Sequence, residues 1–133
     1  MSPRDTGLAF KAAMEARDAA AVHRCLAPDV RFHSPIRYTP FEGRDAVAAV
    51  LQIPAAVFVF RDGFRYTRVF SAGNDRALFF EAEIDGRSIE GVDLLRLDHH
   101  GLVAELWVMM RPLAEIQRFA VVAAEIIGQQ TRP

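Results

Sequence analysis

The sequence predicts an α+β domain in which helices precede a curved antiparallel sheet and a further helix follows the sheet. Three observations predict this order: apolar residues first recur at helical spacing, then alternate with polar residues from Phe64 to Arg111, and return to helical spacing after Pro112. The chain contains no linker, repeat or low-complexity segment. We therefore expect one domain over residues 1–133.

Two helices are predicted at the start of the chain. Asp5 or Thr6 is expected to cap the first, because a short side-chain oxygen can accept a hydrogen bond from a free backbone N–H of the first turn. A second, shorter helix is expected over residues 20–26, and it ends before Pro28.

A short strand, a loop and a third helix follow. Residues 30–34 alternate as a strand that stops at Pro35, and the loop after it runs to Gly43. This loop is either the border of a pocket mouth or a plain connector. Asp45 is expected to cap the third helix, and Pro54 is expected to break or kink it.

Four antiparallel strands joined by tight turns are predicted from Phe64 to Arg111. The turn signals that divide this stretch lie at residues 73–75, 85–86 and 98–101. Pro112 is expected in the first turn of a closing helix that ends at Gly128. The sheet has to bury one face on the helices, and its curvature leaves a hollow between the two layers.

The register of the central hairpins decides which side chains face that hollow. A two-residue turn at residues 85–86 places Leu78 opposite Asp93. Counting across the next turn places Leu97 opposite Leu102, and Asp93 opposite Leu106. One face of the sheet is then apolar apart from Asp93, and its other members are Leu78, Phe80, Ala82, Leu95, Leu97, Ala104, Leu106, Val108 and Met110.

Asp93 is the only carboxylate on this apolar face. Burial disfavours the charged form of a carboxylate, so we expect the pKa of Asp93 to rise. A neutral carboxyl can donate a hydrogen bond to a carbonyl or enolate oxygen. The alternative is a structural role, in which Asp93 bonds a nearby hydroxyl or the tryptophan and orders the interior.

The opposite face of the sheet is predicted to join two copies of the chain. Phe79, Trp107 and Met109 lie on this face among alternating glutamates and arginines. A face of this mixed character suits contact with a copy related by a twofold axis, so we expect a homodimer. An ordinary solvated face with scattered apolar residues is the alternative.

The composition argues against several partners and sites. The net charge of −1 gives no electrostatic reason to expect nucleic acid or a membrane as partner. Cys25 is the sole cysteine, so no internal disulfide forms and a reducing compartment is expected. The N-terminus lacks a signal-peptide core, which favours a soluble, cytoplasmic protein. We expect no cofactor and no metal site, because no glycine-rich phosphate loop occurs and the adjacent His99 and His100 should diverge.

Two stretches of the sequence resemble the NTF2-like superfamily, and most closely its SnoaL-like proteins. One comprises residues 26–35 and 41–47; the other begins with residues 91–97 and continues through a glycine turn to a strand that carries Trp107. The likeness covers nearly the whole chain. It implies a cone-shaped NTF2-like barrel, with the curved sheet wrapped on the N-terminal helices.

Ketosteroid isomerases of this superfamily use three site residues, and the resemblance maps each of them onto this chain. Their oxyanion-hole carboxylic acid falls on Asp93, their general base on Ser34 and their oxyanion-hole tyrosine on Phe10. A serine hydroxyl cannot shuttle a proton between carbons without a base to activate it. We therefore do not expect an authentic ketosteroid isomerase.

The sequence predicts a pocket that binds a small hydrophobic molecule through a carbonyl or hydroxyl oxygen. Asp93 is the expected catalytic residue of any isomerisation, dehydration or cyclisation of a ketone or polyketide, and no cofactor is required. The alternative is a non-catalytic dimeric binding or scaffold module whose hollow is filled by side chains. His33 should point away from the hollow. The expected ligand-binding residues are Phe10, Met14, Phe32, Ser34, Tyr38, Phe80, Leu95, Leu106, Val108 and Met110.

Overall fold

The fold is seen in a computed structural model that describes residues 3–52 and 64–131, with side chains for residues 6–52 and 64–125. Its helices are α1 (Pro3–Ala16), α2 (Ala19–Cys25), α3 (Arg44–Val50) and α4 (Leu113–Thr131). Its strands are β1 (Leu26–His33), β2 (Phe41–Glu42), β3 (Arg65–Ala72), β4 (Asp75–Ile84), β5 (Arg87–Leu97) and β6 (Val103–Arg111). The predicted α+β order is confirmed. No helix in these ranges is long and apolar enough to cross a membrane.

The strands form one six-stranded sheet in the order β2-β1-β6-β5-β4-β3. Strands β3 to β6 form the predicted antiparallel meander. The sheet is nevertheless mixed, because β1 runs parallel to β6. A parallel pair needs a long crossover connection, and here the whole segment from β2 to β5 supplies it. Within the described ranges the edge strands β2 and β3 do not pair, so the sheet curves without closing into a barrel.

The β4–β5 hairpin has the predicted register, and the β5–β6 hairpin does not. Leu78 pairs with Asp93 as expected. Asp93, however, pairs with Val108 rather than with Leu106, and the ladder shifts at a bulge beside Leu97. At Asp93 the pairing has slipped by two residues. Because side chains alternate between the two faces with a period of two, the residues of β6 around Val108 keep their predicted face.

The turn between the two strands accounts for one residue of this slip, and a bulge in β6 accounts for the other. The Asp98 carboxylate accepts hydrogen bonds from the backbone N–H groups of His100 and Leu102 at 2.9 and 3.0 Å, and it stabilises a turn over residues 98–102 rather than 98–101. Val103 consequently pairs opposite Leu97 and is buried, while Ala104, predicted on the inner face, is the extra residue of the bulge.

Two predicted helix caps are wrong. Helix α1 begins ahead of its expected caps, so Thr6 lies inside it, where the buried hydroxyl donates to the carbonyl oxygen of Gly101. Gly43 occupies the N-cap position of α3, and the Asp45 carboxylate instead lies 2.8 Å from His23 Nε2. In both cases a tertiary contact engages the side chain that local propensity assigned to the cap.

Several element boundaries also differ from those predicted. Strand β1 begins at Leu26, so it includes Pro28, which lies in the irregular part of the β1–β6 ladder. The loop after β1 contains the two-residue strand β2, and α4 continues through Gly128. The kink expected at Pro54 falls outside the described residues.

The core lies between the inner face of the sheet and helices α1 to α3. Its most deeply buried side chains include Phe10, Val22, Val30, Val47, Leu78, Leu95 and Leu106. Helix α4 covers the β4–β5 hairpin, where Phe119 and Ala123 pack in a second cluster. Ion pairs hold α4 at this position, between Arg87 and Glu115 at 2.5 Å and between Arg118 and Asp85 at 2.7 Å.

Candidate functional site

A cavity of about 310 Å³ lies between the sheet, the loop after β1, and α4. Apolar and aromatic side chains form most of its wall, and the polar residues among the described ones that line it are Ser34, Arg37 and Asp93. The Asp93–Val108 pair of the β5–β6 ladder lines it, and so does Met110, the next inward residue of β6. The inner face of the sheet is therefore open at this level and closed elsewhere by the helices.

Most of the residues predicted for the pocket line this cavity. The structure brings together Asp93, Met14, Phe32, Ser34, Phe80, Val108 and Met110. Their role in binding stays a prediction.

Four residues predicted for the pocket do not line the cavity. Leu95 and Leu106 pair with each other one inward position beyond Asp93, where the helices cover the sheet directly, and both are buried in the main core. Phe10 is in the same core, with no exposed surface. Tyr38 projects from the loop after β1 and is fully exposed. None of these four lines the cavity in the structure, and their role in binding stays a prediction.

The cavity also has a wall that the sequence reasoning did not assign. Phe119, Ala120, Ala123 and Ala124 of α4 line it, because Phe119 and Ala123 pack on the β4–β5 hairpin and so place this helix across the opening. The helical spacing of these residues was a signal, since it places them on one face, but nothing local indicated where that face docks.

Asp93 is buried, with 5% of its surface exposed, and it is held by one residue that the sequence analysis missed. Tyr66 of β3 donates its hydroxyl hydrogen to Asp93 Oδ2 at 2.6 Å. A bulge between Tyr66 and Arg68 turns the Tyr66 side chain inward. Tyr66 therefore pairs with Phe80, whose side chain lines the cavity. Counting back from the turn at residues 73–75 without this bulge places Tyr66 on the outer face, so the sequence carried no readable signal for it.

Burial raises the pKa of Asp93 from 3.8 to about 7, and the hydrogen bond from Tyr66 opposes part of that rise. The predicted upward shift is confirmed. Burial, and after it the neighbouring carboxylate, raises the pKa of Tyr66 well above its usual value, so Tyr66 remains a donor at neutral pH. Near pH 7 Asp93 therefore exists in both its protonated and its ionised form.

The two oxygens of Asp93 differ in their surroundings. Tyr66 engages Oδ2, and no described residue donates a hydrogen bond to Oδ1. Of the described residues that line the cavity, Asp93 is the only one with a carboxylate. Ser34 Oγ is itself occupied, because it accepts hydrogen bonds from the backbone N–H groups of Ile36 and Arg37 at 3.3 and 3.1 Å. Asp93 is therefore the residue in the described wall that can exchange a proton with a ligand.

The histidines lie away from this cavity. His33 stacks on Trp107 with 5.1 Å between ring centroids and lies 2.7 Å from Glu105, which confirms its predicted outward direction. The rings of His99 and His100 do not diverge as predicted; their centroids are 3.9 Å apart. In the described ranges, no group of three His, Cys, Asp or Glu side chains is placed to hold a metal ion.

Comparisons with solved structures extend the likeness to whole chains. An uncharacterised bacterial protein with a cystatin-like fold from Silicibacter pomeroyi is 34% identical, with a TM-score of 0.86 over 92% of this chain and 84% of that one. A steroid delta-isomerase from Pseudomonas aeruginosa is 26% identical, with a TM-score of 0.88 over 96% of this chain and 93% of that one. A de novo designed protein with a curved β-sheet shares the fold alone, at 17% identity and a TM-score of 0.70 over 88% of this chain and 93% of that one.

The family comparison agrees with the structural one. No protein of curated function matches the chain. The family described as the SnoaL-like domain matches residues 8–106, which include α2, α3, the meander as far as the middle of β6, and Asp93. This chain belongs to the SnoaL-like family, within the NTF2-like superfamily.

Proposed function

We propose that the cavity binds a small, largely apolar molecule through a carbonyl or hydroxyl oxygen, and that Asp93 is the acid of a cofactor-independent isomerase- or lyase-type reaction. One observation carries this proposal: a buried carboxyl with a pKa of about 7 lines an otherwise largely apolar cavity. Perturbed carboxyls of this kind cluster at sites of acid and base chemistry. The 26% identity to a steroid delta-isomerase also supports a largely apolar ligand with a carbonyl or hydroxyl oxygen.

The binding step follows from the character of the wall. A volume of about 310 Å³ is at the lower end of small-molecule pockets, which suits a compact aromatic or alicyclic ligand. Phe32, Phe64 and Phe80 supply apolar contact area, and their exclusion of water strengthens a hydrogen bond to Asp93. In its protonated form Asp93 donates through the oxygen that Tyr66 leaves open.

Dehydration of a β-hydroxy ketone is a reaction that one carboxyl can complete. Protonated Asp93 gives its proton to the departing hydroxyl, which leaves as water while the bond from carbon to that oxygen breaks. The resulting carboxylate takes the proton from the adjacent carbon, whose electron pair forms the double bond, and Asp93 is regenerated. Both forms of the group are needed, and a pKa of about 7 makes both available at neutral pH.

A non-catalytic binding module is the second candidate, and the Tyr66–Asp93 hydrogen bond favours it, since a purely structural carboxyl is expected to bond a buried hydroxyl. The version of this candidate in which side chains fill the hollow is less well supported. Met14, Phe32, Phe80 and Met110 form walls of the cavity instead of occupying it.

The ligand test uses butyrophenone as the probe and calorimetric titration at several pH values. Binding to the wild type is expected to weaken about tenfold per pH unit above pH 7, because only the protonated carboxyl donates to the ketone oxygen. Asp93→Asn keeps a donor without a titrating proton, so its affinity should not change with pH. A wild-type affinity that is equally flat would contradict the proposed anchor.

The catalytic test uses the β-hydroxy ketone formed from benzaldehyde and acetone. We expect the wild type to convert it to benzalacetone, followed by absorbance, and Asp93→Asn to bind butyrophenone but give no turnover. Equal turnover by the two proteins would refute acid catalysis by Asp93. Binding without turnover by the wild type would favour the non-catalytic module.

Folding stability should also depend on the Asp93 carboxyl. Its pKa is 3.8 when unperturbed and about 7 in the folded protein, so between these values the folded state binds more protons than the unfolded state. This group therefore lowers the free energy of unfolding as pH rises through this window, and its effect levels off above it. Relative to Asp93→Asn, the wild type should lose about 3 kcal/mol between pH 5 and pH 8 in urea denaturation. Parallel pH profiles of the two proteins would contradict the shifted pKa.

We also propose that the outer face of the sheet forms a homodimer interface through Phe79, Trp107 and Met109. Met109 is 50% exposed, and neighbouring Phe70, which packs edge-on against Phe79 at 5.8 Å, is 53% exposed. A contiguous exposed apolar surface of this kind is typical of interaction sites. Arg96 lies over the Trp107 ring at 5.3 Å, which leaves a polar border beside it.

The dimer is tested by light scattering after size exclusion at micromolar concentration. We expect a mass of twice the 14.8 kDa chain for the wild type and a monomer for Met109→Glu, because a buried, unpaired carboxylate opposes association. Leu8→Glu is the control, since Leu8 is 58% exposed on α1, away from this face. A monomeric wild type would contradict the proposal.

A further inference from the structure

We propose that Arg37, at the rim of the cavity, binds a carboxylate of the ligand, so that the preferred ligands are apolar carboxylic acids with a carbonyl or hydroxyl group that reaches Asp93. The inference rests on the proposed function and specifies its ligand class. Arg37 is exposed and also lines the cavity, which places its side chain at the boundary between the apolar interior and solvent.

The guanidinium of Arg37 is held in place by its own loop. Its Nε donates to the carbonyl oxygen of Thr39 at 2.8 Å, and Nη2 donates to that of Pro40 at 3.4 Å. Its Cζ lies 3.8 Å from the centroid of the Phe41 ring, which stacks in turn on Phe32. Since Phe32 and Phe41 both line the cavity, the cation is positioned on the aromatic wall.

The backbone before Arg37 supports this placement. Ser34 Oγ accepts hydrogen bonds from the N–H groups of Ile36 and Arg37, which stabilises a turn at the end of β1. Ser34, onto which the resemblance maps the general base of ketosteroid isomerases, therefore stabilises the loop that carries Arg37.

The charge of Arg37 is not neutralised within the described ranges. Other arginines of the protein pair with carboxylates: Arg65 with Glu81 at 2.9 Å, and Arg111 with Glu90 at 2.7 Å. Arg37 instead contacts two neutral carbonyl groups and a ring. A guanidinium has five N–H donors, so three remain beyond these two bonds.

A rigidly held guanidinium with free N–H donors is suited to bind a carboxylate. The two oxygens of the carboxylate can accept two parallel hydrogen bonds from neighbouring N–H groups of the guanidinium. The aromatic support reduces the entropy lost when the ligand binds, because the side chain is already ordered. The cavity then selects two complementary groups: an anion at Arg37 and an uncharged oxygen at Asp93. The alternative is that Arg37 only stabilises its own loop and binds no ligand, and the test distinguishes the two roles.

The experiment compares two probes with one skeleton, benzoylpropionate and its methyl ester, by calorimetric titration at pH 6. The wild type should bind the carboxylate at least about fivefold more tightly than the ester, and the preference should fall as salt is added. Arg37→Gln should bind the two probes equally well, whereas Arg37→Lys should retain part of the preference. Arg17→Gln is the matched control, because Arg17 is exposed and does not line the cavity.

The outcomes separate this inference from the proposed function. Equal binding of the two probes by the wild type, or an undiminished preference in Arg37→Gln, would overturn the role of Arg37 and leave the Asp93 anchor standing. If neither probe binds the wild type, both are overturned. Ester binding that depends on Asp93 together with a carboxylate preference that depends on Arg37 supports both.

Discussion

A carboxyl group taken out of water must be hydrogen-bonded, protonated or both. In this fold Asp93 meets the requirement in both ways, because Tyr66 donates a hydrogen bond to it and its raised pKa leaves it partly protonated. The 2.6 Å hydrogen bond favours the ionised form, while burial disfavours it more strongly, so the pKa remains raised to about 7. Without burial, the hydrogen bond alone would lower the pKa. The acid is thereby kept close to the point at which it can both give and accept a proton.

The geometry of the sheet decides which part of its apolar face becomes a site. The Asp93–Val108 pair lines the cavity, whereas the neighbouring inward pair of Leu95 and Leu106 is sealed under the helices. One step along the ladder therefore separates a candidate ligand contact from ordinary core packing. The SnoaL-like family membership specifies this architecture, and the side chains around Asp93 specify what the cavity can hold.

The sequence alone predicted the element order and the inward position of Asp93, because the turn at residues 85–86 sets that register locally. It could not predict Tyr66, whose direction is reversed by a bulge that no turn signal marks. It expected Phe10 and Leu106 at the pocket, whereas both lie in the main core, since the docking of helices on a curved sheet is a tertiary property. It also placed the β5–β6 turn one residue too short, because the Asp98 side chain accepts hydrogen bonds from the backbone N–H groups of His100 and Leu102, a local contact that the glycine turn signal does not reveal.

The most direct measurement is a carbon-13 NMR titration of the Asp93 carboxyl carbon, identified by its loss in Asp93→Asn. We expect a midpoint at about pH 7 in the wild type and a higher midpoint in Tyr66→Phe, because the lost hydrogen bond favoured the ionised form. A wild-type midpoint near 4, the ordinary value for an aspartate in water, would contradict it.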